Sequence, residues 1–123
     1  MIPDKIKKLL KSGNVIFLAT SSKNAVPNLV AVESCGLSGE KILIADCHMA
    51  KTSANLKEND KVSLLVTDKK DYYQIKGICE YKAEGKEFEE VSKMLEGTGY
   101  TAKCVLIICC NEIYDLQNYT KVL

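Results

Sequence analysis

A lysine and a hydroxyl residue stand where an apolar segment gives way to a helical one. Residues 41–46 predict a buried strand, and residues 52–58 predict a short helix with Thr52 or Ser53 near its N-cap. Lys51 directly precedes this predicted helix, and Thr52 is its first residue. A helix N-terminus presents unpaired N–H groups and the positive end of a dipole to an anion. Lys51 and Thr52 are therefore candidates for a phosphate site, although these residues alone equally fit a solvated lysine beside an ordinary cap.

Six cysteines raise the question of a metal or disulfide site. Cys109 and Cys110 are adjacent, and the other four stand alone at positions 35, 47, 79 and 104. There is no C-x-x-C pair and His48 is the single histidine, so we predict no metal site. Most of these cysteines are expected to be buried free thiols in a reducing compartment. Cys47 is the exception, because nearby Lys51 is expected to lower its pKa.

No side chain in the sequence stands out as the acid, base or nucleophile of a dedicated reaction. His48 has an ordinary pKa near about 6.5 and could assist a proton transfer. A lone histidine beside a loop more often faces solvent, and we expect that here. Catalytic residues are therefore left unassigned.

Length and charge limit the class of protein. A chain of 123 residues is expected to form a single domain, residues 1–123. Its 17 basic and 16 acidic side chains are interspersed and give a net charge of +1, which argues against a nucleic-acid or anionic-membrane surface. No apolar run is long enough to span a bilayer, and residues 1–5 open an amphipathic helix and not a signal peptide. We expect a soluble, cytoplasmic protein.

The hydrophobic pattern predicts strands interrupted by a few helices. Residues 4–12 place Ile6, Leu9 and Leu10 on one side of a surface helix, and a further helix is predicted over residues 86–96. Strands are predicted at residues 15–20, 28–34, 41–46, 61–67, 72–81 and 104–114. The last of these is apolar at its start and is expected to be buried on both faces. Hairpin-linked strands of this kind favour a small antiparallel barrel with helices at its edges, which by itself assigns no function.

Six segments follow one another in an order that resembles a known family. They are residues 17–22, 26–30, 42–46, 49–56, 61–64 and 75–77. Together they resemble the FMN-binding split-barrel family, which includes pyridoxamine 5′-phosphate oxidase and the small FMN-binding proteins. The most specific part is residues 49–55, of the form Met-x-Lys-Thr-x-Ala-Asn, which is particularly similar to the small FMN-binding proteins. The resemblance implies a mainly β fold, a six-stranded antiparallel split β-barrel with two or three flanking helices.

The resemblance also implies a cofactor and an assembly. It implies a homodimer with two FMN molecules at the subunit interface, each touched by both chains. Lys51 and Thr52 would hold the FMN phosphate, and Tyr72 or Gln74 would approach from the other subunit. The backbone of a strand would run along the flavin at Asn28, Leu29, Val30, Ala31, Val32 and Glu33. The ribityl chain and isoalloxazine ring would be lined by Ala45, Asp46, Cys47 and Met49.

Two departures from the family pattern narrow the expected function. Residues 114–121 lack the arginine and histidine with which pyridoxamine phosphate oxidases grip their substrate, so we do not expect that oxidase activity. Ala50 stands where many relatives carry an arginine, which leaves a deazaflavin-binding relative open. The leading hypothesis is an FMN-binding flavoprotein in electron or hydride transfer, with an unknown redox partner or substrate. The alternative is a non-redox module that binds a phosphorylated ligand through Lys51 and Thr52.

Overall fold

The structure is a computed structural model that describes residues 1–123 and contains three helices and eight strands. The helices are α1 (Asp4–Leu9), α2 (Lys51–Glu58) and α3 (Lys86–Met94). The strands are β1 (Val15–Ser21), β2 (Pro27–Glu33), β3 (Leu37–Ser38), β4 (Lys41–Asp46), β5 (Lys61–Thr67), β6 (Tyr72–Lys82), β7 (Cys104–Asp115) and β8 (Thr120–Lys121). None of the helices combines the length and apolar character needed to cross a bilayer.

All strands pair antiparallel in one sheet, in the order β2-β1-β5-β6-β7-β4-β3, with β8 added beside β7. The mainly β, antiparallel prediction with flanking helices is confirmed, but the prediction of six strands in a barrel is wrong. The sheet has eight strands and does not close, because the end strands β2 and β3 do not pair with each other. The two missed strands, β3 and β8, have two residues each, which is too short for an alternating pattern to be visible in sequence.

The strands β4 and β7 separate two hydrophobic cores. Ile42 and Ile44 of β4 face the larger core, together with Leu106 and Ile108 of β7. The intervening Leu43 joins a smaller core with Val105 and Ile107, which α3 covers through Val91. Residues 105–108 are fully buried, so the prediction that β7 is buried on both faces is confirmed. Because both faces of β4 are buried, its register is strongly specified.

Polar side chains dock α2 on the sheet. Leu56 is the only residue of α2 in the main core. The other buried residues of the helix are polar, namely Thr52, Ser53 and Asn55. The Asn55 side-chain amide donates to Thr20 Oγ1 of β1 at 3.0 Å. This bond fixes the helix against β1, since a buried hydrogen-bond donor without a partner is costly.

Replacing Asn55 with Leu tests this docking. The change leaves the Thr20 hydroxyl buried without its donor, and we expect the free energy of unfolding to fall by about 1–3 kcal/mol. Adding Thr20→Val removes the orphaned group and should recover part of the loss. Chemical denaturation measures both, with the exposed Lys57→Ala on the same helix as control. A double variant that is no more stable than Asn55→Leu would contradict the interpretation.

Gly77 allows β6 and β7 to approach closely at a bulge. The register between these strands shifts between Lys76 and Gly77. A Cβ atom at Gly77 would stand 2.2 Å from the carbonyl oxygen of Cys109, which is backbone and cannot rotate away. Glycine is therefore required here for space, since its φ is not in the left-handed region.

We expect Gly77→Ala to lower the free energy of unfolding by about 1–3 kcal/mol, because the strands must move apart to admit a methyl group. Thermal denaturation measures the change. Lys61→Ala, at an exposed position on the neighbouring strand, is the control and should stay within about 0.5 kcal/mol of wild type. Equal stabilities for the two variants would show that the bulge accommodates a side chain.

Candidate functional site

A cavity of about 650 Å³ opens between β2, the end of β4 and the start of α2. Its volume lies within the usual range for small-molecule and cofactor sites. Ten of the residues predicted from sequence line it: Asn28, Val30, Ala31, Val32, Glu33, Ala45, Cys47, Met49, Lys51 and Thr52. The fold thus brings together two segments, residues 28–33 and 45–52, that sequence connects only through the family resemblance.

Four of the predicted site residues lie elsewhere. Leu29 is 68% exposed and is not in the cavity lining. Asp46 is fully buried and also lies outside the lining. Tyr72 and Gln74 are at the beginning of β6, where Gln74 shares a separate hollow with Tyr114 and others. Those two were expected from a second subunit, so one chain by itself does not bring them to the cavity.

Five lining residues were not predicted as site residues: Cys35, His48, Ala50, Leu95 and Tyr100. Leu95 directly follows α3 and lies within the helix predicted over residues 86–96, where its pattern indicated a helix face and not a cavity. Tyr100 comes from the connection between α3 and β7, where no periodic pattern marks it. Tyr100 meets His48 edge to face, with ring centroids 6.2 Å apart and an angle of 67° between the planes. Both side chains are exposed, so His48 faces solvent as expected and also stands at the cavity mouth.

One end of the cavity is suited to an anion. The side chain of Lys51 is exposed and makes no ion pair or hydrogen bond within the chain. The backbone N–H groups of Lys51, Thr52 and Ser53 have no acceptor in the chain. A free cation and three N–H groups therefore converge on the first turn of α2.

The prediction that Thr52 or Ser53 caps α2 is wrong. The helix begins at Lys51, its N-cap residue is Ala50, and no side chain caps it. The Ser53 hydroxyl instead donates backward to the carbonyls of Ala50 and Met49, at 3.0 and 3.2 Å. Since no capping side chain occupies them, the first N–H groups remain available to another acceptor.

Thr52 is held in an orientation that suits hydrogen-bond donation. Its Oγ1 accepts a hydrogen bond from the Asn28 side-chain amide at 3.2 Å. A hydroxyl that accepts one bond keeps its own hydrogen to donate. Asn28 of β2 and Thr52 of α2 thus join the two walls of the cavity at its polar end.

The buried side chain of Asp46 holds the loop that precedes α2. One carboxylate oxygen, Oδ1, accepts the Met49 N–H at 2.8 Å and lies 3.8 Å from Lys103 Nζ. The other, Oδ2, accepts the Tyr81 hydroxyl. Burial and this hydrogen bond both raise the pKa of Tyr81, so the phenol remains a proton donor at neutral pH. These contacts fix residues 47–50, which line the cavity.

The expected lowering of the Cys47 pKa is not found. Burial raises the pKa of this thiol, and the negative charge of Asp46 raises it further. Lys103, and not Lys51, supplies the one opposing effect. Burial also raises the pKa of Cys35 across the cavity. All six cysteines are free thiols, but only Cys79 is buried and the other five are half-buried, so the expectation that most are buried is wrong. The raised pKa values keep the two thiols in the cavity protonated at neutral pH.

Comparison with known proteins places this arrangement in a family. The sequence profile of the family described as pyridoxamine 5′-phosphate oxidase matches residues 2–114. An uncharacterised protein of Methanocaldococcus jannaschii is 40% identical over 121 residues, covering 91% of this chain and 80% of that protein. Among solved structures, HupZ of Group A Streptococcus superposes with a TM-score of 0.89 at 22% identity and full coverage of both chains.

Other solved structures share the fold and differ in the ligand after which each is named. An FMN-binding protein of Syntrophomonas wolfei has a TM-score of 0.68 at 24% identity, covering 91% of this chain and 82% of that one. An F420 reductase (0.69, 18% identity, 91% and 98% coverage) and HutZ, the haem storage protein of Vibrio cholerae (0.70, 14%, 90% and 92%), are similar in shape. At these identities the likeness shows the fold alone. By the match over residues 2–114, the chain belongs to the pyridoxamine 5′-phosphate oxidase-like split-barrel family.

Proposed function

We propose that this protein is an FMN-binding flavoprotein that takes part in electron or hydride transfer. One observation carries the proposal: a single cavity joins an apolar slot to an anion-binding helix start with an unpaired lysine. FMN has the matching shape, a flat ring system at one end and a phosphate at the other. The FMN-binding protein of Syntrophomonas wolfei, which shares the fold, supports the assignment.

The apolar part of the cavity suits the ring. Most of its lining residues are hydrophobic, among them Val30, Val32, Ala45, Met49 and Leu95. A planar aromatic ligand gains from such a slot, provided that its polar edge meets a few hydrogen-bonding groups. The backbone groups of β2, which forms one edge of the sheet, supply them in the proposal.

The polar part suits the phosphate. Lys51 provides a charge, Thr52 a hydroxyl and α2 its first N–H groups. The chain contains no arginine, since all of its 17 basic residues are lysines. Phosphate recognition therefore depends on a point charge and backbone donors, without the paired hydrogen bonds that arginine offers.

The chain's own residues bind and orient the cofactor in this proposal. Bound FMN would supply the redox chemistry, because flavins accept either one or two electrons. His48 and Tyr100, both exposed, line the cavity and would lie beside the bound cofactor. The absence of arginine from the sequence also counts against pyridoxamine 5′-phosphate oxidase activity itself, which needs a second phosphate grip.

We further propose a homodimer with the cofactor between subunits. The edge strand β2 lines the cavity, and its Leu29 and the preceding Val26 are exposed apolar side chains that a second chain could cover. A second chain would cover the exposed side of the ring, with Tyr72 or Gln74 as its contribution. The six free thiols suit a reducing compartment such as the cytoplasm.

A deazaflavin is the second candidate ligand. The F420 reductase with the same fold supports it, as does Ala50 beside Lys51, which leaves the phosphate end with one cation. Titrating the purified protein with FMN and with a deazaflavin under the same conditions distinguishes the two.

An absorption spectrum of the purified protein, with and without added FMN and with the mass in solution recorded on the same sample, tests the proposal directly. We expect a flavin band that elutes with a dimer. A protein that binds FMN but cannot be reduced reversibly would favour the non-redox binding module, and a protein that ignores FMN would overturn the assignment.

Replacing Lys51 with Ala should weaken FMN binding by about 10- to 100-fold, the range expected for one charge-assisted contact. Riboflavin, which lacks the phosphate, should bind the variant almost as well as it binds wild type. Fluorescence titration measures both affinities. Lys57→Ala, an exposed lysine at the other end of α2, is the matched control. Equal losses for FMN and riboflavin would contradict the phosphate site.

A further inference from the structure

Asp46 carries a carboxylate that is 0% exposed and still has a partner for each oxygen. Oδ1 accepts the Met49 N–H at 2.8 Å, and Oδ2 accepts the Tyr81 hydroxyl. The only cation that pairs with this buried group is Lys103, 3.8 Å away. Burying a carboxylate is costly unless it is hydrogen-bonded and a positive charge lies nearby. The contacts of Asp46 with Met49, Tyr81 and Lys103 offset that cost, and they hold the loop before α2 in place.

Lys103 is anchored on the same loop by two more bonds. Its Nζ donates to the Met49 carbonyl at 3.2 Å, and its backbone N–H donates to the Asp46 carbonyl at 2.7 Å. Its side chain remains 54% exposed, and it does not line the cavity. Lys103 thus contacts the loop at Asp46 and Met49 without being part of the cavity lining.

The position of Asp46 creates an electrostatic problem for an anion. Its carboxylate binds the N–H of Met49, two residues before α2 begins, and that helix start is the proposed phosphate site. A negative charge just before a helix start opposes a phosphate bound there, because like charges repel in a partly buried site. The same carboxylate is needed to hold the loop that carries Cys47, His48 and Met49.

We propose that Asp46 and Lys103 form a charge-compensated support for the anion site. Asp46 positions residues 47–50, and Lys103 cancels its charge so that a phosphate is tolerated at α2. Neither touches the ligand, so both are positioning residues, and Lys103 acts as a determinant of phosphate selectivity. The inference rests on the proposed function, because it assigns these residues to the same site.

Four variants separate positioning from charge: Lys103→Met, Asp46→Asn, the double variant Lys103→Met/Asp46→Asn, and Asp46→Ala. The measurement is the affinity of each for FMN and for riboflavin. Lys103→Met leaves the carboxylate uncompensated and also removes the bond to the Met49 carbonyl, so it should weaken FMN about three- to tenfold and riboflavin clearly less. Adding Asp46→Asn removes the repulsion and keeps an acceptor for Met49, so FMN affinity should recover until FMN and riboflavin show the same small loss.

Asp46→Ala removes the acceptor for the Met49 N–H and should weaken both flavins, because the whole loop loosens. Lys82→Met is the matched control, since Lys82 also pairs with a carboxylate, that of Glu80, but at an exposed site. It should bind both flavins as wild type does. A merely structural role for Lys103 would reduce FMN and riboflavin affinity together, and no rescue would follow from Asp46→Asn. Either result overturns the proposal.

A titration with inorganic phosphate tests this inference independently of flavin binding. If wild type binds no flavin, the proposed function fails, and the amide NMR signals of Lys51, Thr52 and Ser53 then report phosphate binding on their own. Shifts that saturate in wild type and weaken in Lys103→Met support the anion site and its compensation. Identical phosphate titrations of wild type and Lys103→Met would overturn the inference even if wild type binds FMN.

Discussion

The pairing of β4 with β7 is the interaction on which the rest of the structure depends. These two strands form the boundary between the large core and the small one, so each alternates its side chains between two buried surfaces. A shift of one residue would exchange the cores and is strongly opposed. The same register sets Asp46 opposite Cys104 and so brings Lys103 to the Asp46 carboxylate. Packing of isoleucines and leucines thus determines the electrostatics of the candidate site.

The long strands and the helices could be predicted because their apolar residues form recognisable patterns in the sequence. Residues 105–108 are apolar without interruption, and that run predicts a strand buried on both faces, as found. The number of strands was not predictable, because β3 and β8 are formed by partner strands and not by any pattern of their own. The start of α2 was misplaced for a related reason: Ser53 has the right residue type for a cap, but its hydroxyl bonds backward to two carbonyls.

The candidate site was predictable partly from residue types and partly from the family resemblance. Lys51 and Thr52 stood out where a strand gives way to a helix, and the resemblance added Met49 and residues 28–33 of β2. The structure brings all of these to one cavity except Leu29. Tyr100 lies in a connection without periodicity, and the helical pattern that includes Leu95 gave no sign of a cavity, so only the folded chain shows that both line it. The pKa of Cys47 was misjudged because sequence distance suggested Lys51 as its neighbour, whereas burial and Asp46 dominate. Distance in sequence is a poor guide to which charge acts on which group.

The loop before α2 is held by Lys103, a residue far along the chain, and this affects when the candidate site can form during folding. The bond from Lys103 to Met49 joins residues 54 positions apart, and β7 is the last long strand to be synthesised. Closing so large a loop is slow, because its entropy must be lost before the contacts form. A nascent chain that has released α2 but not yet β7 therefore lacks the contacts of Lys103 with Asp46 and Met49 that hold the loop before α2. A ligand of the proposed site would find the loop fully held only after almost the whole chain has been synthesised and folded.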